Sequence, residues 1–125
     1  MVITTEEMTA ALAQYHCTSE WHRNPLYSWM LYTDGVNYFA DKGGAYWFVD
    51  IIGTELHKLA AEEPFLSITL KVKDNQAAIF VTDGDHMDDG SESVVYIKRI
   101  EFTDCVEGEW KFFLTNGVLL LPSEY

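Results

Sequence analysis

The hydrophobic pattern changes its period at Pro64, and no single element can satisfy both periods. Upstream, across Ala45–Ala61, the apolar residues Ala45, Phe48, Val49, Ile52, Leu56, Leu59 and Ala60 recur at helical spacing. Downstream, Leu66, Ile68, Leu70 and Val72 alternate with Ser67, Thr69, Lys71 and Lys73, the two-residue period of a half-buried strand. Helices therefore give way to a sheet at this proline.

The rest of the chain falls on either side of that boundary. Thr4 stands three residues before Glu7, and Ile3 and Met8 sit where a hydrophobic staple closes, so a helix starts at Thr4–Thr5. Its apolar face is Met8, Ala11, Leu12 and Tyr15, and it is expected to end between His16 and Thr18. Asn24-Pro25 disfavours helix, which predicts a loop from Trp21 and a short strand at Tyr27–Tyr32. Thr33 or Asp34 caps a short helix that Gly43-Gly44 stops, and one long helix covers Ala45–Ala61. After the first strand, Gln76–Thr82, Ser93–Phe102, Glu109–Thr115 and Val118–Leu121 read as strands, the last two joined at the hairpin signal Asn116-Gly117. The expected fold is a single α+β domain, residues 1–125. N-terminal helices pack on one face of a curved antiparallel meander formed by the C-terminal half. Phe48, Ile52 and Leu56 are expected against Leu66, Ile68 or Leu70.

Composition supports this and limits the function. A 125-residue chain that is 48% hydrophobic, with eighteen aromatic residues, has material for one core. No apolar run approaches the ~18 residues of a membrane span and no leader pattern opens the chain, so the expectation is a soluble cytoplasmic protein without membrane contact. Cys17 and Cys105 lack metal or redox spacing and read as free thiols. Twenty acidic against eight basic residues give a net charge of −12, which repels phosphate backbones and favours basic protein partners.

The run Leu31-Tyr32-Thr33-Asp34-Gly35-Val36, then Gly44-Ala45-Tyr46-Trp47 with Asp50, and the ending Leu120-Leu121-Pro122-Ser123-Glu124-Tyr125 carry a resemblance. Trp21–Leu26 and Phe102-Thr103-Asp104 add weaker support. The chain resembles a family of small bacterial, plasmid and phage proteins known only as a domain of unknown function. The resemblance implies no catalytic residue. It does imply a setting, since mobile elements often carry small acidic proteins that block host defence.

The densest charge lies in VTDGDHMDDGSES, residues 81–93, where Asp83, Asp85, Asp88, Asp89 and Glu92 fall within ten positions. A calcium loop needs oxygen ligands at fixed offsets with glycine at its sixth place, and Met87 breaks every register tried. Asp50 and His57 share the polar side of the long helix but match no zinc pattern. His16 beside Cys17 has no orienting third group, and adjacent residues on a helix do not face each other. The enzymatic alternative is a metal-dependent nuclease, with Asp88 or Asp89 and Glu109-x-Lys111 around Mg²⁺. The sequence assigns no catalytic residue, cofactor or metal.

What remains is a non-enzymatic binding protein. Asp83, Asp85, Asp88, Asp89 and Glu92, with the exposed aromatic stretch Trp21, His22 and Arg23, are the expected contacts to a basic protein surface. No direct nucleic-acid contact is expected. The sharpest form is inhibition of a nucleic-acid-binding host-defence complex, of anti-CRISPR or anti-restriction type, with carboxylates imitating a phosphate backbone. The bland form is an acidic housekeeping protein with a solvated loop. Lys71, Lys73, Lys98, Arg99 and Lys111 all fall on predicted strands, which gives the sheet a mixed or basic character.

Overall fold

The computed structural model describes residues 3–15, 21–86 and 92–125; the side chains of 84–86, 92 and 93 are outside that description. Helix α1 spans Thr5–Leu12 and has the expected capping box, Thr4 Oγ1 accepting from the Glu7 amide while Glu7 reaches back to the Thr4 amide. It ends at Ala13, sooner than its apolar spacing predicts, and His16–Thr18 lie outside the described residues. Strand β1, Trp21–Arg23, forms where a loop was expected. A 3-10 turn at Pro25–Tyr27 follows, and strand β2 occupies only Leu31–Thr33. Pro25 fixes the first residue of that turn and Asn24 caps it through the Leu26 amide, which pushes the strand to the far end of the predicted range.

Helix α2, Asp34–Gly43, is capped by Thr33 and stopped by Gly44 in the left-handed conformation, as the sequence predicts. The long helix expected over Ala45–Ala61 is two: α3, Tyr46–Glu55, and α4, His57–Glu62, meeting at Leu56. Leu56 is fully buried, and its backbone leaves helical geometry at φ −100°, ψ 4°, where the chain bends.

Beyond Pro64 come β3 (Phe65–Lys73), β4 (Gln76–His86), β5 (Glu92–Ile100), β6 (Gly108–Thr115) and β7 (Val118–Leu120). The sheet has seven strands in the order β1-β2-β7-β6-β3-β4-β5. The α+β class therefore stands, with two corrections to the meander. Strand β6 returns beside β3 rather than β5, and β2 pairs in parallel with β7. Neither is visible to periodicity, because both are long-range pairings. The connection after β5 lies against the β3–β4 turn, where Thr103 donates to the Asn75 carbonyl and Glu107 accepts from the Asp74 amide.

The helices cover one face. Leu66, Ile68, Leu70 and Val72 of β3 point into the core beside Phe48, Val49 and Ile52, and Phe39 and Phe48 meet Phe112 with ring centroids 5.2 and 4.8 Å apart. Cys105 is a free thiol in this core, and burial pushes its pKa up to about 12. No helix among the described residues is long and apolar enough to cross a membrane. Ile52 has no solvent exposure, so Ile52→Ala should cost about 2–5 kcal/mol in urea unfolding. A loss below about 0.5 kcal/mol would mean that this helical face is not core.

Candidate functional site

Because α1–α4 lie on one side, strand alternation sends every second residue of β3–β6 to an uncovered side. The register places these residues in rows. Glu109, Lys71, Ala78 and Arg99 form one; Lys111, Thr69, Phe80 and Ile97 form the next; Phe113, Ser67, Thr82 and Val94 form the third. An extra residue at Val95 puts Val94 on the same side as Ile97, since Val94 faces Thr82 while Tyr96 faces Val81.

Two kinds of chemistry share this open face. At one end Phe65, Phe113 and Tyr125 form a ring cluster with centroids 4.8–5.6 Å apart, and Tyr125 is largely exposed. Toward the other end stand Lys71, Lys73, Arg99 and Lys111, half of the chain's basic residues. Among the described residues none of these four enters an ion pair. Lys71 lies over the Phe80 ring, 5.2 Å from its centroid. A concavity of about 610 Å³ between the ends of β3, β4, β5 and β6 is walled by Lys71, Lys73, Arg99, Glu101, Glu107 and Glu109. Such a surface can hold a partner through apolar contact and paired charges.

The described residues among those expected at the site lie on different strands. Trp21, His22 and Arg23 are on β1, at one edge of the sheet, while β4 and β5 are at the other. Trp21 is exposed, but the half-buried His22 places its Nε2 3.0 Å from Asp34 Oδ1 and stacks on Tyr32, tying β1 to the start of α2. In the acidic stretch, Asp88 and Asp89 lie outside the described residues. Asp85 is in β4 and Glu92 opens β5, and the half-buried Asp83 is the one member whose side chain is described. Glu109 and Lys111 sit together on the open face, in the rows of Ala78 and Phe80. Asp88 and Asp89, the other half of the nuclease reading, lie outside the described residues. No group of three or more potential metal ligands occurs among the described residues.

A family model described as "Family of unknown function (DUF6876)" matches residues 6–125. The chain belongs to the DUF6876 family. Comparison with curated proteins found no match, and neither did comparison with solved structures.

In this DUF6876 member two of the stretches that carry the sequence resemblance, Leu31–Val36 and Leu120–Tyr125, meet in space. Glu124 accepts from the Thr33 hydroxyl at 2.6 Å, the Leu121 amide at 3.1 Å and the Gly35 amide at 3.3 Å, so the C-terminal segment closes the N-terminus of α2. A Cβ at Gly35 would stand 2.5 Å from Leu121 and 2.7 Å from Glu124, which explains the glycine. Asp50 accepts from the Tyr27 hydroxyl, and that bond adds to burial in raising the tyrosine's pKa. Trp47 donates to the Gly44 carbonyl.

Two contacts on the covered side were not legible in the sequence. Glu55, at the end of α3, accepts from Lys98 Nζ at 2.8 Å and the Tyr96 hydroxyl at 2.6 Å, joining the helix to the edge strand β5. The hydrogen bonds from Lys98 and Tyr96 hold the Glu55 carboxyl below its ordinary 4.5 despite some burial. A carboxylate with a depressed folded pKa stabilises the fold above its unfolded pKa and loses that contribution as pH falls through the folded value. Glu55→Gln should therefore be less stable than wild type at pH 7, by under about 1 kcal/mol because the pair is partly exposed and screened. Urea unfolding should show the gap closing as pH falls below about 4. A gap of equal size at low and neutral pH would contradict the ion-pair account.

Proposed function

We propose that this protein is a non-enzymatic protein-binding module whose contact surface is the open face of the sheet. The observation that carries the reading is the gathering of two apolar groups and four cations on that one face. Isolated exposed apolar residues are ordinary on a monomer. Here half-buried Phe65 and Phe113 form one apolar group and Phe80, Ile97 and Val94 a second, with Ser67 and Thr69 of β3 between them, and the same face carries four cations that make no described ion pair. Glu109 beside Lys71 makes the charge mixed, as at protein interfaces, and the net charge of −12 opposes a polyphosphate ligand.

The finer reading concerns the partner. The end of β4 at His86 and the start of β5 at Glu92 lie at one end of the open face and the 101–107 connection at the other, and the sequence is acidic at both. Carboxylates at the two ends steer a basic protein onto the apolar and cationic middle, because charge complementarity mainly speeds encounter. A nucleic-acid-handling host-defence complex is a partner of that kind, which makes the protein an inhibitor of anti-CRISPR or anti-restriction type.

Capture from a host lysate at low and high salt, with wild type and two variants, tests both levels. Lys71→Gln with Lys111→Gln, which remove the charges without setting a carboxylate opposite Glu109, should leave stability within about 1 kcal/mol yet cut recovery of the partner about tenfold or more. Asp85→Asn, Asp88→Asn and Asp89→Asn together should slow association and flatten its salt dependence. Recovery of the same partner by the lysine variant, at wild-type level and salt dependence, would remove the open face from the account. An unchanged rate and salt slope in the aspartate variant would remove the steering role.

A further inference from the structure

The sheet has two edges of very different character. Strand β1 is three residues long and is followed at once by Asn24-Pro25, which blunts it. Strand β5 has nine residues, pairs with β4 on one side and has no neighbouring strand on the other among the described residues. Of the seven large hydrophobic side chains exposed among the described residues, Val94, Ile97 and Phe102 lie on β5 or just past its end. Lys98 points to the covered side, where an inward charge ordinarily guards an edge against pairing, but Glu55 neutralises it and Tyr96 completes the contact.

Helix α3 runs alongside this edge. Its flank, Trp47 and Ile51, together with Ile100 and Phe102 lines a cavity of about 370 Å³ at the end of β5, which Thr103 and Asp104 close. A strand laid along β5 would direct alternate side chains to the two faces of the sheet. Those on the covered side would meet Trp47, Ile51 and Ile100 near one end and the Glu55–Lys98 pair near the other. Those on the open side would stand beside Ile97 and Arg99, and Arg99 has no ion pair among the described residues. The extra residue at Val95 interrupts the edge at its start, leaving Tyr96–Ile100 as the regular stretch.

Resting on the protein-binding reading above, we propose that the free edge of β5 accepts an extended segment of the partner as an eighth strand. The segment is apolar toward α3 and carries a carboxylate opposite Arg99. Main-chain hydrogen bonds to the edge supply affinity, and the Trp47–Ile51–Ile100 groove with Arg99 supplies selectivity.

The test uses the full chain and capped synthetic peptides that alternate valine with threonine, with one glutamate moved along the threonine positions. At least one peptide should bind saturably by fluorescence anisotropy and slow amide exchange in Tyr96–Ile100. N-methylation of alternate residues in one of the two phases should weaken that peptide about tenfold or more, and in the other phase hardly at all, since alternate amides face the edge. Arg99→Glu should reverse the preference, favouring a lysine in place of the glutamate. Three results would overturn the proposal: no binding by any peptide, binding equally sensitive to both N-methylation phases, or self-association of the free protein that protects the same amides, which would assign the edge to a second copy. If the peptides fail while partner capture still depends on Lys71 and Lys111, the edge is excluded and the open face stands.

Discussion

Everything in this fold depends on one aromatic contact, the meeting of Phe39 from α2 and Phe48 from α3 with Phe112 on the central strand β6. It fixes both helices on the same side of the sheet. Once they are there, Leu66, Ile68, Leu70 and Ile79 have a buried side to enter, and the alternating residues have only solvent. The open face is a consequence of this one-sided packing. A sheet covered on both sides would have left Lys71, Arg99 and Lys111 nowhere to point.

The charge distribution follows the same asymmetry. In a chain with twenty acidic residues, four of the eight basic ones lie on the uncovered side of β3–β6, while residues 83–92 and 101–109 are dense in carboxylates in sequence. Net charge describes long-range approach, and local rows describe contact. The two point to different parts of a partner, a basic surface for encounter and an apolar, partly acidic one for docking. Placing the contact on β3–β6 and the steering at their ends uses both without assigning chemistry to any single carboxylate.

Local signals in the sequence carried over well. The capping box at Thr4, the stop at Gly44, the alternation in β3 and the Asn116-Gly117 turn each need only neighbouring residues, and each appears in the structure. What failed to show was long-range or competitive. The helix breaks at Leu56 although the apolar spacing runs straight through it, and nothing in that spacing marks the joint. Strand β1 forms because β2 offers an edge, and β2 is held by β7 from the far end of the chain. The site was legible only in pieces. The alternating lysines of β3 signalled a charged open face, but Phe80, Phe113 and Tyr125 joined it through pairings that one-dimensional spacing cannot give. Trp21–Arg23 and the acidic stretch, equally prominent in sequence, went to opposite edges.

The central claim is that the uncovered face is where a partner sits. Hydroxyl-radical footprinting of the protein alone and in its captured complex tests this at side-chain level. The account predicts that Phe65, Phe80, Ile97, Phe113 and Tyr125 lose reactivity together in the complex, while Trp21 and Leu26 at the far edge react as before. Protection confined to Trp21–Leu26 or to the outer surface of the helices, with the rings of the open face unchanged, would contradict it.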